Sequence, residues 1–195
     1  MISWTAVIPF KGRAARKTRL AGAFSEEQRD RLSHAMFNRT CAVLAGCDAV
    51  GEIAVLSGIR PPAWDGRLIN DAGRGLNAEL ISLAADLAVQ RLLVIHADLP
   101  LLEPQDISEL LEAAGRASMA IAPDHAGIGT NAIALVEPAG FAFQFGPDSL
   151  ARHVEAGQGR AAIVKRIGLS LDIDTPEDYE RAWRLAPEIR TWIRA

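Results

Sequence analysis

Residues 91–102 read RLLVIHADLPLL. The stretch opens as an unbroken apolar run, Leu92 to Ile95, turns polar at His96, Ala97 and Asp98, and is stopped by Pro100. A strand covered by helices on both faces reads as a continuous apolar run, because neither face meets water. An acid at the end of such a strand faces the crevice where open α/β sheets take up ligands. Asp98 is therefore the first candidate for chemistry. The alternative is that it only caps a turn before Pro100.

Upstream, residues 4–8 form a short apolar run rich in strand formers, ended by Pro9, and predict the first, central strand. Residues 10–21, FKGRAARKTRLA, follow it and carry Lys11, Arg13, Arg16, Lys17 and Arg19. Cations after a buried strand, with Gly12 letting the backbone approach, suit phosphates. A solvated basic loop is the other reading. Neither GxxxxGK[ST] nor GxGxxG is present, so this is not a P-loop or a dinucleotide fingerprint.

Ser25 with Gln28 predicts a capping box opening a long helix that Gly46 ends. Residues 52–57 and 67–69 predict the second and third strands. The loop 70–77, NDAGRGLN, leads into a helix over 76–89. Glycines before a helix N-terminus suit a nucleobase or phosphate, since free N–H groups point outward there.

Downstream, a helix is predicted over 105–115, starting at Glu103 or Pro104, and a strand over 119–122. A loop over 124–131, DHAGIGTN, precedes an apolar strand over 132–136. Residues 143–149, FQFGPDS, predict a strand end turning at Gly146-Pro147, with Asp148 or Ser149 capping a helix to Ala156. The alternation over 166–173 predicts the last strand, ending in Asp174. Thr175 then caps a helix with Pro176 at its first position. Strands alternating with helices predict a mostly parallel α/β sheet with helices on both faces, and one antiparallel strand in the 132–145 region.

The chain has 195 residues, 49% hydrophobic and 23% charged, which predicts one soluble domain over 1–195. A formal net charge of -3 gives no basic surplus for nucleic acid. Two cysteines, Cys41 and Cys47, without metal-ligand spacing fit a reducing cytoplasm. Residues 1–10 are apolar but short and lack the basic start of a signal peptide, and no stretch reaches membrane-span length. The tail 188–195, with Trp192 and Ile193, could dock on its own core or on a second subunit, which leaves a homodimer open.

Asp98 and Asp174 are both expected at strand ends. If those strands are neighbours, the carboxylates converge in a way that suits Mg²⁺, a hard cation that keeps positions open for phosphates. Asp172 is a third candidate. For Asp174, an acid placed only by the helix dipole is the other reading.

AVIPFKGRAARKTRLA, DAGRGLNAEL, HADLPLL, APDHAGIGTNAIAL, FQFGPDSLARH and LDIDTPEDY occur in this order. Taken together they resemble the guanylyltransferases of coenzyme F-420 biosynthesis that act on 2-phospho-L-lactate, phosphoenolpyruvate or 3-phospho-D-glycerate. The GTNA and FGPDSLARH segments are the most specific. The resemblance implies a Rossmann-like nucleotidyltransferase fold, a mostly parallel mixed sheet flanked by helices. It implies transfer of GMP from GTP to the acceptor's phosphate, with release of pyrophosphate. It assigns Asp98 and Asp174 to Mg²⁺, and Lys11 and Lys17, assisted by Arg19, to the triphosphate. It assigns Gly75, Leu76 and Asn77 to the guanosine. Thr130, with Asn131 beside it, and Gly146 and Ser149 fall to the acceptor. His96, His125 and His153 are expected as bystanders, and the roles of Arg13, Arg16 and Arg74 stay open. The rivals are a molybdopterin or sugar-phosphate nucleotidyltransferase of the same fold, and a noncatalytic nucleotide-binding protein.

Overall fold

The structure is a computed structural model that describes residues 3–10, 17–86 and 89–194. Seven strands form one sheet: β1 (Trp4–Pro9), β2 (Val50–Ser57), β3 (Arg67–Asn70), β4 (Arg91–Ile95), β5 (Met119–Pro123), β6 (Thr130–Val136) and β7 (Ala161–Ile163). Their order is β3-β2-β1-β4-β6-β5-β7. β1 pairs in parallel with both β2 and β4, and β6 runs antiparallel to β4 and β5. The expected central strand and antiparallel strand are both present.

The helices are α1 (Glu26–Ala45), α2 (Leu76–Asp86), α3 (Pro104–Ala117), α4 (Ser149–Ala156), α5 (Ile167–Ser170) and α6 (Pro176–Leu185). Short 3-10 turns cover Thr18–Leu20 and Pro187–Ile193. The capping boxes at Ser25 with Gln28 and at Thr175 with Asp178 are formed, so both helices start where their side chains satisfy the first free N–H groups.

Side chains alternate across the sheet and divide the core in two. Ala6, Ile8, Leu93 and Ile95 join Phe37 of α1 and Ile107, Leu110 and Leu111 of α3. Val7, Leu92 and Val94 meet Leu80, Leu83 and Ala84 of α2 on the other face. Helices on both faces explain why β4 reads as an unbroken apolar run. A third cluster, with Leu20, Leu32, Met36, Leu171, Ile173 and Tyr179, takes in Ile189, Trp192 and Ile193. The C-terminal turn therefore docks on its own core.

Two expected strands are not strands. Phe143, Gln144 and Phe145 are irregular, because side chains take the place of a neighbouring strand. Phe145 N donates to Asn77 Oδ1 at 2.8 Å, and Gln144 N donates to His153 Nε2 at 2.9 Å. Residues 166–173 form α5 and an extended arm, and the last strand is the short β7 before them. The alternation that suggests a strand comes from Leu169, Leu171 and Ile173, which are all buried. Helix α2 is described over Leu76–Asp86, and Val89, the expected end of that helix, is not helical.

Candidate active site

Strand order reverses direction between β1 and β4, since the chain passes outward from β1 to β2 and β3 before returning to β4 on the other side. Such a switch point opens a crevice at the strands' C-terminal ends. Lys17 follows β1 and Asp98 follows β4 at this crevice. β6 runs the other way and brings its first residues, Thr130 and Asn131, to the same edge. The register pairs Ile95 with Ala132, and His96 N donates to Asn131 O at 2.9 Å.

The Lys17 ammonium sits between two carboxylates, 2.6 Å from Asp98 Oδ2 and 3.0 Å from Asp174 Oδ1. Arg19 Nη1 adds a looser contact with Asp174 at 3.6 Å. Burial works against the charged lysine, but the two carboxylates outweigh it and hold its pKa above the usual lysine value. The backbone of Lys17 is left-handed, with φ 49°. That conformation is unfavourable for a residue with a side chain and is sustained here by the ion pairs. The structure thus seats Lys17 against the acids, where the expectation has it on a triphosphate. Lys11, Gly12, Arg13 and Arg16 lie outside the described residues.

Asp172 completes an acidic group. One carboxylate oxygen from each of Asp98, Asp172 and Asp174 lies within 4.8 Å of the others. Burial pushes the Asp172 carboxyl up to about 6, reinforced by the charges of Asp98 and Asp174 and opposed by a hydrogen bond from Asn131. Burial also raises Asp98, but Lys17 and His96 overcome it, and its pKa falls below the usual carboxylate value. Asp98 Oδ1 is buried without a hydrogen-bond partner among the described residues. A buried carboxylate oxygen left unpaired is costly, and oxygen donors grouped in this way fit a hard divalent cation.

Asp174 reaches the group from an extended arm, a correction to its expected place at a strand end. Ile173 N donates to Asp98 O at 3.2 Å and ties the arm to the end of β4. Asp178 Oδ2 accepts from the backbone N–H of Asp174 and of Thr175, at 3.1 and 2.8 Å. Asn131 Nδ2 donates to Leu169 O, Ser170 O and Asp172 Oδ1 at 3.0, 3.1 and 3.3 Å. The Asn131 amide, expected on the acceptor, is therefore spent on holding the arm. His125 faces the group's outer side, 3.9 Å from Asp172 and 3.8 Å from Asp178.

The two glycine loops meet at Asn77. Its amide pairs twice with the backbone of Phe145, donating to Phe145 O at 2.9 Å and accepting from Phe145 N. Asn77 thus joins the loop before α2 to the loop before α4. Leu76 starts α2 beside Gly75, whose φ of +93° suits glycine. Arg74 folds back onto Glu79, with Nη2 2.8 Å from Oε2, and holds that carboxyl down at about 2. Ser149 is buried at the start of α4, and Gly146 has φ +123°.

His153, expected as a bystander on a helix face, is fully buried. It contacts Thr130 Oγ1 at 3.0 Å through Nδ1 and accepts from Gln144. Its spacing from Ser149, one helical turn, is the available signal in the sequence. Outside this edge, a groove lined by Phe24, Tyr179, Trp183 and Arg190 runs beside α6, away from the carboxylates.

The family model described as "Guanylyl transferase CofC like" matches residues 4–182. A phosphoenolpyruvate guanylyltransferase of Rubrobacter xylanophilus is 36% identical over 188 residues, covering 90% of this chain and 91% of that protein. Another from Streptomyces coelicolor is 32% identical over 200 residues, covering 97% and 94%. Among solved structures, the 4-diphosphocytidyl-2C-methyl-D-erythritol synthase of Anaerococcus prevotii superposes with a TM-score of 0.63 at 11% identity, covering 95% of this chain and 96% of that one. The 2-C-methyl-D-erythritol 4-phosphate cytidylyltransferase of Thermus thermophilus gives a TM-score of 0.59 at 18% identity, covering 93% and 98%. At those identities the likeness establishes the nucleotidyltransferase fold.

Proposed function

Since this chain belongs to the guanylyl transferase CofC-like family, we propose that it transfers GMP from GTP to the phosphate of phosphoenolpyruvate or a related phosphorylated three-carbon acid, in coenzyme F-420 biosynthesis. An acceptor phosphate oxygen attacks the α-phosphorus of GTP. The new P–O bond forms as the bond to the β-phosphate oxygen breaks, and pyrophosphate leaves with that electron pair. No covalent intermediate on the protein is needed, so the chain's task is to position two polyanions and offset their charge.

The observation that carries this reading is the carboxylate group at the switch point, with Asp98 Oδ1 unpaired and Lys17 already drawn in. Asp98, Asp172 and Asp174 would hold Mg²⁺, which supplies neutralisation of phosphate charge. Lys17 balances the acids when they carry no metal. With a metal held, its ammonium is available to a phosphate, with Arg19 beside it. Lys11, from the same basic stretch of sequence, serves the triphosphate. Gly75 and Leu76 offer backbone N–H groups to the guanosine. Thr130, Gly146 and Ser149 receive the acceptor, through a hydroxyl, an open backbone and a helix start respectively.

The test is pyrophosphate release with GTP, Mg²⁺ and each acceptor in turn. Release with phosphoenolpyruvate, phospholactate or phosphoglycerate, and its loss on chelation, is expected. Release with a sugar phosphate and none with these acids would overturn the reading.

A further inference from the structure

We infer that His153 is a positioning residue for the acceptor: it holds the Thr130 hydroxyl with its hydrogen aimed away from the imidazole, as a fixed donor to the anionic group bound at this edge. This rests on the reading that the edge binds a phosphorylated acid.

The argument starts from the proton. His153 Nε2 lies 2.9 Å from Gln144 N, an N–H that can only donate, so Nε2 must be the bare nitrogen. The ring is fully buried in α4, and burial, helped by nearby His96, pushes it down to about 4. It is therefore neutral, and its single proton sits on Nδ1. Nδ1 is 3.0 Å from Thr130 Oγ1, which must then accept. A hydroxyl has one hydrogen and two lone pairs. With a lone pair committed to His153, the Thr130 hydrogen has no further acceptor among the described residues, and it remains for a ligand.

The surroundings make the arrangement rigid. Phe145 packs edge-on against the imidazole with ring centroids 4.8 Å apart, and Phe141 stacks at 6.2 Å. Phe145 is itself fixed at both backbone groups by Asn77. Leu150 N donates to Ile128 O at 3.0 Å and pins the start of α4 to the loop before Thr130. Thr130 lies two residues before Ala132, the partner of Ile95, at the end of β6 that meets the C-terminal end of β4. A neutral hydroxyl rotates freely in water. Here its direction is set before the ligand arrives, so no rotor entropy is lost on binding.

A purely structural role for His153, satisfying Gln144 alone, gives a different outcome in paired substitutions. In His153→Asn the amide nitrogen stands near the Nδ1 position and keeps the bond to Thr130. In His153→Gln the longer side chain keeps an acceptor for Gln144 and loses the donor to Thr130. We expect His153→Gln to raise the KM for the acceptor about tenfold with the KM for GTP unchanged, the scale of one hydrogen bond to a charged group. His153→Asn stays within about threefold. Thr130→Val reproduces the His153→Gln effect, Thr130→Ser does not, and His153→Gln adds nothing in the Thr130→Val background. Thermal unfolding of each variant tracks folding separately. The inference is overturned if His153→Asn and His153→Gln act alike, if both KM values rise together, or if the His153→Gln and Thr130→Val effects add. Should either histidine variant fail to fold, Thr130→Val against Thr130→Ser decides: equal acceptor KM values sink the donor role. A wild-type protein that releases no pyrophosphate with any three-carbon phospho-acid would instead refute the functional reading itself.

Discussion

The end of β4 and the arm after α5 deliver acids to one point by opposite means. Asp98 follows a buried strand, β4, whose backbone pairs in parallel with β1 and antiparallel with β6. Asp172 and Asp174 hang on a segment outside the sheet, tied by one backbone bond to Asp98 O and held otherwise by Asn131, Asp178, and the contact between α5 and α3. In that contact Arg166 pairs with Asp106 and Glu109. A Cβ on Gly168 would collide with Asp106 Oδ2 and come within 2.7 Å of Leu101 O, so only glycine allows the approach. A strand places a residue by a pattern repeated along its length. An arm places one by a few specific contacts, each of which can be removed singly.

The comparison breaks most sharply at its shared point. Asp98→Asn should leave the fold intact and lower turnover by about 10²–10³-fold, the scale of losing a positioned charge in a phosphoryl-type transfer. Steady-state pyrophosphate release checks it, and near-normal turnover would remove Asp98 from the metal site.

The arm gives the next effect, and it depends on pH. The folded-state pKa of Asp172 is raised from 3.8 to about 6, so the folded protein binds this proton more tightly than the unfolded chain does. The stability it contributes is complete below pH about 4 and is lost as pH rises through about 6. Asp172→Asn should therefore stabilise the metal-free protein at pH 7.5 by on the order of 2 kcal/mol and leave it unchanged near pH 4. Mg²⁺ should stabilise the parent at pH 7.5 more than the variant. Melting curves at both pH values check this, and an equal shift at both would mean that Asp172 is not under charge strain.

The arm's anchor comes last. Gly168→Ala should cost about 2 kcal/mol in urea unfolding, the usual scale of overpacking, and should lower activity as well. Ser25→Ala, which removes the α1 cap far from the acids, should cost about 1 kcal/mol and leave activity alone. Equal activity in the two variants would break the claim that the arm is placed by its anchor.

The same contrast explains what is legible in the sequence. β4 and β1 are legible because both faces are buried, and continuous apolar runs follow directly. The α1 and α6 caps are legible because a capping box is a local pattern. The arm is not, since three buried residues at alternate positions look alike on a strand and on a segment laid over a core. β7 is too short to leave a pattern. The partnership of His153 with Thr130 joins residues 23 apart through tertiary contact, and the side-chain duties of Asn77 and Asn131 are likewise written only in space. The grouping of Asp98 with Asp174 is legible as two acids that each close an apolar segment, and the family resemblance reinforces it.

Lys17 gathers its two carboxylates across separations of 81 and 157 residues. Contacts that far apart along a chain reward folding only after large loops have closed. The ion-pair group is therefore expected to form late, on the native side of the folding barrier. Interactions absent from the transition state act on the rate of unfolding and leave the rate of folding nearly untouched. The lysine between the acids is in this sense a latch on the lifetime of the assembled crevice.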